Sequence, residues 1–229
     1  ATTNHLFSSY GSYSVQLIVT SAEGCSDTVS QSIDIYPLPI PDFTFTEVCE
    51  GYTTQLTNQS TIPNGSIPNY TWNLGAGQGS ANTTNTTVNY PGDGVYPVTL
   101  IASSNHGCVD SITKSLSVWP NPEIDWDADP VDGCYPVAPL FNNLTTINTG
   151  QVVDWMWTFG DGFTSTQQSP THSYPNAPGT YDVTLYARSN QGCDTSITKT
   201  AYITVRPQPT AIFEYSPETP TTNNPLVQF

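Results

Sequence analysis

The chain has 229 residues, with 4 Lys+Arg against 19 Asp+Glu and a formal net charge of −15. That balance argues against nucleic acid as a partner, because phosphate is bound through a basic surface, and no apolar run approaches the ~20 residues of a membrane span. Length alone suggests two domains at roughly 100–150 residues each, and β-branched and aromatic residues recurring among abundant Thr, Asn, Ser, Pro and Gly predict turn-rich β structure instead of disorder.

In chain order, Gly11 to Val19 and Val29 to Ile35 read as two strands joined by a turn at Glu23-Gly24-Cys25. Pro37-Leu38-Pro39-Ile40-Pro41 is a stiff junction, since each Pro fixes φ and lacks an N–H. Phe43 and Phe45 alternate on the next strand; Tyr52–Asn58, Tyr70–Leu74 and Tyr96–Ala102 follow. Beyond Pro120, Ile124, Trp126 and Ala128 alternate with Asp125, Asp127 and Asp129, and Trp155, Trp157 and Phe159 share one face of a strand that breaks at Gly160-Asp161-Gly162. Tyr181, Val183, Leu185 and Ala187 face one way on the following strand, and Ala201, Ile203 and Val205 are expected to face inward on the last.

These elements repeat. Tyr13, Tyr96 and Tyr181 each open a Tyr-x-Val-x-Leu strand at spacings of 83 and 85, and Cys25, Cys108 and Cys193 follow a Gly at the same spacings. Trp72 and Trp157 lie 85 apart, as do Cys49 and Cys134, while Pro37, Pro120 and Pro207 close successive units. Residues 1–36 therefore read as the end of one repeat, 37–119 and 120–206 as two complete ones, and 207–229 as the start of another, with Phe213 in the place of Phe43 and Trp126. The sequence begins at Ala1 and stops at Phe229 inside strand patterns, without an initiator Met or a basic-then-apolar leader, so a segment of a longer protein is expected.

Trp157, Phe159, Gly160, Asp161 and Gly162, answered by Gly179-Thr180-Tyr181-Asp182-Val183-Thr184-Leu185, resemble the PKD domain, an immunoglobulin-like β-sandwich with a W-x-F-G-D-G signature and a later G-x-Y-x-V-T-L strand. The second repeat departs from it: Trp72-Asn73-Leu74-Gly75-Ala76-Gly77 carries Ala76 where the Asp would fall, which should loosen a turn that the Asp side chain otherwise caps. The resemblance implies an all-β chain of tandem seven-stranded sandwiches arranged end to end. It is similar to the repeats of very long bacterial cell-surface proteins, which implies a non-catalytic, extracellular segment of a stalk, filament or adhesin. Its partners would be neighbouring repeats of the same chain, copies of itself in a filament, and glycans or surface polysaccharide. The alternative is an array of carbohydrate- or fibre-binding modules attached to a secreted hydrolase.

No catalytic constellation emerges. Asp125 to Gly133 superficially resembles a calcium loop, but Pro130 stands where an EF-hand needs Gly and Val137 where it needs Glu. Asp132 and Asp161, turn carboxylates, are the only candidates for a Ca²⁺ ion, and no other cofactor is expected. His5 and His172 precede an aromatic residue by two, where the second repeat has Val88 before Tyr90, so the position reads as packing. Asp154 and Asp161 flank the tryptophans, but a glycosidase pair also needs a cleft. Trp155, Trp126 and Tyr186 would stack on sugars if they point outward.

Five Cys fit an oxidising setting. The within-repeat scheme joins Cys49 to Cys108 and Cys134 to Cys193; the junction scheme joins Cys49 to Cys193 and leaves Cys25, Cys108 and Cys134 to partners elsewhere. In the sandwich that the resemblance implies, five strands separate the Cys49 turn from the Cys108 hairpin. An odd number puts them at opposite poles, beyond the ~7 Å Cα reach of a disulfide. One extra strand between residues 75 and 94 would reverse the parity.

Overall fold

The computed structural model describes residues 2–174 and 177–214, and it divides into two compact units, 1–120 and 121–229. The described residues are all strand, turn and loop. In the first unit β1 (Gly11–Thr20) and β2 (Ser26–Ile35) form a hairpin in continuous antiparallel register. The complete repeat follows as β3 (Phe43–Phe45), β4 (Val48–Cys49), β5 (Thr54–Asn58), β6 (Asn69–Asn73), β7 (Ser80–Ala81), β8 (Thr86–Val88), β9 (Gly94–Ser103) and β10 (Val109–Trp119). One sheet has the order β3-β5-β8 and the facing sheet β4-β10-β9-β6-β7. The second unit holds β11 (Trp126–Asp129), β12 (Asp132–Cys134), β13 (Leu140–Asn143), β14 (Val152–Thr158), β15 (Thr164–Ser165), β16 (Gly179–Ser189) and β17 (Asp194–Arg206), in sheets β11-β13 and β12-β17-β16-β14-β15. Of the fourth repeat, residues 207–214 carry no strand, and the remainder of 207–229 lies outside the described residues.

The first strand of each sandwich is split between the sheets. Its early part, β3 or β11, pairs antiparallel with β5 or β13, whereas its late part, β4 or β12, runs parallel to β10 or β17. In the second unit Pro130 stands at the changeover, a residue that cannot donate to either ladder. The place of β8 is taken there by Pro170-Thr171-His172, reduced to a Leu140–Thr171 bridge flanked by two backbone bonds.

Alternation builds both cores. In the first unit Phe43, Leu56, Trp72, Leu74, Val98 and Leu100 interlock; in the second, Trp126, Phe141, Trp157, Phe159, Val183 and Leu185 occupy the same places. Trp72 meets Phe43 edge-on at 5.1 Å, and Trp157 meets Trp126 edge-on at 5.3 Å. In the β1–β2 hairpin, Val15, Leu17 and Val19, the equivalents of Val98, Leu100 and Ala102, are exposed.

A lysine clasps the two sheets of each sandwich. Lys114 on β10 bonds the Phe43 carbonyl at 2.5 Å, pairs with Asp42 at 2.6 Å and lies over the Phe43 ring. The Lys114 ammonium, with the Phe43 N–H, holds the Asp42 carboxyl below the ordinary carboxylate range. Lys199 on β17 repeats the arrangement with the Trp126 carbonyl, Asp125 and the Trp126 ring. Arg188 pairs with Asp154 and Arg206 with Asp132, so all four Lys and Arg side chains of this acidic chain are engaged within their own sandwich.

Ala201 does not face inward. Between Tyr181↔Ile203 and Val183↔Lys199, β17 carries two more residues than the matching stretch of β10. The resulting bulge places Ala201 at φ +49° in the open, with its N–H on the Asp182 carboxylate at 2.7 Å, and lays Tyr202 against Trp126. Ile203 and Val205 resume the inward face.

Candidate functional site

Three recurring features hold the signature residues, and each has a local physical cause. The first is the turn after the core tryptophan. Phe159 N–H closes it on the Phe163 carbonyl, Gly160 and Gly162 take φ of +80° and +94°, and the Asp161 carboxylate accepts the Phe163 N–H at 3.2 Å. The other Asp161 oxygen contacts His172 Nε2 at 2.8 Å, and the Asp161 side chain is only 3% exposed. His172 lies flat on Phe159 at 4.0 Å and edge-on to Tyr174. The second repeat lacks both members, having Ala76 and Val88 at those places. Its turn closes from Leu74 N–H to the Gly79 carbonyl, one residue wider, with Ala76 forced to φ +45°.

The second feature is the tyrosine that opens each long strand. Tyr13, Tyr96 and Tyr181 each donate a hydroxyl back four residues, to the carbonyls of Ser9, Gly92 and Ala177 at 2.9, 2.8 and 2.7 Å. A second tyrosine backs each complete corner: Tyr90 bonds the Leu74 carbonyl at 2.7 Å and Tyr174 the Phe159 carbonyl at 3.1 Å. Burial, with Tyr96 beside it, pushes the Tyr90 hydroxyl from 10.0 up to about 12. Burial together with the nearby Asp161 and Tyr181 pushes Tyr174 up further still. Both folded values are raised, so the stability they contribute is complete below the unfolded value near 10 and is lost as pH climbs through the folded values. Alkaline titration should therefore show a late tyrosinate step, from Tyr90 and Tyr174, that coincides with the change in tryptophan fluorescence. A single step near pH 10 with the fold retained would contradict these assignments.

The third feature is the cysteine hairpin, which has one geometry in all three repeats. Ser21, Ser104 and Ser189 donate their N–H to the carbonyls of Cys25, Cys108 and Cys193, and their hydroxyls accept the N–H of the same cysteines. Gly24, Gly107 and Gly192 take φ of +80° to +87° as the turn demands. In the complete repeats the hairpin is also tied to the loop before the core tryptophan: Asn105 exchanges two bonds with Ser66, and Asn190 two with Gln151. The cysteine is thus presented on a rigid tip.

Within each sandwich the two cysteines lie at opposite poles. Five strands, β5 to β9, intervene between Cys49 and the hairpin. Cys49 pairs laterally with Trp119 at the far end of β10, and Cys108 immediately precedes Val109 at its start. Eleven residues at ~3.3 Å each separate them by about 36 Å. Cys134 is likewise beside Arg206 while Cys193 precedes Asp194, a separation of about 40 Å along the 13-residue β17. The within-repeat scheme is corrected by this geometry, because a disulfide needs Cα atoms within about 7 Å. Cys25, Cys108 and Cys134 are free thiols.

The remaining candidates are dispersed. Asp132 forms a forked pair with Arg206 at 2.8 and 2.6 Å, and Asp161 is held by His172, so the two carboxylates serve separate partners. Among the described residues no three His, Cys, Asp or Glu side chains are grouped as metal ligands. Asp154 is tied to Arg188 instead of facing Asp161 across a cleft. The three aromatics offered as a sugar platform do not share a surface: Trp126 is a core residue at 1% exposure, Trp155 packs half-buried against the same core, and Tyr186 lies on the opposite face of its sheet beside Met156. Alternation places Trp126 and Trp155 inward, which overturns that reading for both. His5 touches Phe7 edge-on, and His106 lies flat on Tyr36 at 3.6 Å.

Two sandwiches with a W-x-F/L-G turn, a tyrosine corner and a cysteine hairpin define an immunoglobulin-like tandem module. The PKD domain profile matches residues 37–119 and 120–205, and the chain belongs to the PKD domain family. It is similar to Collagenase ColA of Bacillus cereus, 34% identical over 84 residues (37% of this chain, 8% of the relative). It is also similar to Microbial collagenase of Vibrio alginolyticus, 41% identical over 59 residues (26% of this chain, 7% of the relative). Pre-pro-metalloprotease PrtV of Vibrio cholerae matches at 38% over 56 residues, 24% of this chain and 6% of that protein. The chain thus spans less than a tenth of the length of these relatives. Among solved structures, the PKD1 domain of PrtV aligns at 28% identity and a TM-score of 0.32, covering 37% of this chain and 98% of that one. The PKD1 domain of Vibrio anguillarum Epp aligns at 23% and 0.33, covering 35% and 93%.

Proposed function

We propose that the chain is a non-catalytic, length-giving segment of a long extracellular repeat protein, a surface stalk, filament or adhesin whose repeats have one another as principal partners. The observation that carries this is the position of entry and exit in each sandwich. The chain enters at the hairpin pole, where Phe43 pairs with Asn58 and Lys114 reaches the Phe43 carbonyl, and leaves at the opposite pole, where Trp119 ends β10 beside Cys49. The second sandwich enters at Trp126 and leaves at Arg206 beside Cys134. Such a unit advances the chain by about the length of its longest strand, roughly 36 Å for 11 residues, and a proline at each junction restricts the angle to the next. Small-angle scattering of the chain should give a radius of gyration well above the ~17 Å of a compact globule of 229 residues. A value near ~17 Å would overturn the reading.

The matches to collagenases favour a second reading, an array of fibre- or carbohydrate-binding modules attached to a hydrolase. Co-sedimentation with insoluble collagen, cellulose or chitin separates the two: saturable capture supports binding modules, and its absence supports a spacer.

A further inference from the structure

We propose that Asn64 is a self-modifying position: its side-chain amide is lost to attack by the Gly65 backbone nitrogen, and hydrolysis leaves an aspartate or isoaspartate there. The inference goes beyond both readings of the array and depends on neither. The reaction needs an asparagine whose carboxamide is unheld. It also needs a following residue with an unpaired backbone N–H and no side chain to block the approach.

Asn64-Gly65 is the one Asn-Gly step in the 229-residue sequence. It lies in the loop between β5 and β6, and Asn64 is exposed. Among the described residues neither its carboxamide nor the Gly65 N–H has a hydrogen-bond partner. An exposed, unbonded amide has no local structure to break before it reacts. Gly65 takes φ of +100°, where the missing Cβ leaves its backbone free to turn. Other asparagines are held. Asn58 and Asn143 accept the N–H of Ser60 and Thr145, Asn73 that of Gly75, and Asn105 and Asn190 those of Ser66 and Gln151. The loop itself does not require Asn64. In the next repeat Thr149 stands at that place before Gly150, whose φ is +92°, and Asn190 clamps the loop as Asn105 does here.

The chemistry is a cyclisation followed by hydrolysis. The Gly65 amide gives its proton to hydroxide and attacks Asn64 Cγ. A C–N bond forms, and the side-chain nitrogen takes up a proton from water and leaves as ammonia. Water then opens the resulting five-membered succinimide at either carbonyl. Opening at Cγ restores the backbone with an aspartate, whereas opening at the α-carbonyl carbon leaves an isoaspartate, with the chain running through the former side chain. One water is consumed, one ammonia is released, and no electrons are transferred. The new carboxylate enters a cleft of about 370 Å³ that Asn64 lines together with Tyr10, Asp34 and Tyr36. Asp34 accepts the Ser12 hydroxyl there, and Tyr36 is the ring that lies flat on His106. The second carboxylate opposes the first, so the added charge arrives where the β1–β2 hairpin meets the following sandwich.

The test is a timed incubation of the 229-residue chain at neutral and at mildly alkaline pH, followed by peptic digestion in acid and fragment-mass sequencing. The expected result is a gain of about 1 Da at Asn64, with isoaspartate among the products. It should grow faster at alkaline pH, because the attacking nitrogen must lose its proton. In urea the rate should stay within about ten-fold of the folded rate, since the fold holds neither group. Asn64→Thr, which copies the third repeat, should abolish the gain. An Asn64 that stays intact in the folded chain while it converts in urea would overturn the proposal. So would a gain that appears first at a different asparagine, or one of equal size that persists in Asn64→Thr.

Discussion

Trp157→Ala is expected to lower the stability of the second sandwich by roughly 3–5 kcal/mol. The side chain is fully buried, edge-on to Trp126 at 5.3 Å and tilted against Phe141 at 5.4 Å, so truncation leaves a cavity bounded by rings that cannot close over it. It also strips the Gln167 carbonyl of the indole N–H that reaches it at 3.1 Å. At about 4–8 °C per kcal/mol for a domain of this size, the transition of this sandwich should fall by more than about 12 °C. The transition of the first unit should stay in place. Trp126→Phe is the control, since the second repeat already has Phe43 there and the Trp126 indole N–H finds no acceptor among the described residues. Its cost should be below about 1.5 kcal/mol. Equal losses for the two variants, or an unmoved transition in Trp157→Ala, would show that strand β14 does not pack as described.

The sequence reading reached the features that are periodic. Trp72/Leu74, Trp157/Phe159 and the Tyr-x-Val-x-Leu strands alternate over enough residues for one face to be assigned, and those faces form the two cores. It missed features that depend on two distant positions. Lys114 and Lys199 belong to no sequence pattern, and only the stacking of two sheets brings them onto Asp42 and Asp125. The two-residue strands β4 and β12 are too short to show a period, so the parallel pairing that places Cys49 and Cys134 could not be read. Ala201 had the right parity to face inward, and the bulge broke it; the signal was the longer interval between Tyr181 and Pro207, against that between Tyr96 and Pro120. The His172–Asp161 contact had a legible trace as well. Ala76 and Val88 depart together from the pair, and two positions that change together are read more safely as one contact than as two substitutions.

The signature glycines should separate into two kinds when replaced by alanine. At Gly160 an added Cβ would lie 2.5 Å from the Asp182 carbonyl oxygen and 3.1 Å from the Asp182 nitrogen, and φ is +80°. The obstacle is the backbone of β16 and not the far end of a flexible side chain that could swing aside. Left-handed backbone and overpacking together put the cost of Gly160→Ala at roughly 2–4 kcal/mol. Gly75→Ala should behave alike in the first unit, where the Cβ would lie 2.5 Å from the Pro97 carbonyl oxygen. Gly162 has a similar φ of +94° but open space around the Cβ position, so Gly162→Ala should cost only the conformational part, about 1 kcal/mol. The second repeat supplies the reverse experiment. Ala76 already occupies φ +45°, and Ala76→Gly should stabilise the first unit by about 0.5–1 kcal/mol. Denaturant unfolding of the four variants checks the order. If Gly160→Ala cost no more than Gly162→Ala, the close approach of the turn to β16 would be wrong, and the first glycine that both repeats share would need another explanation than contact with the strand beneath it.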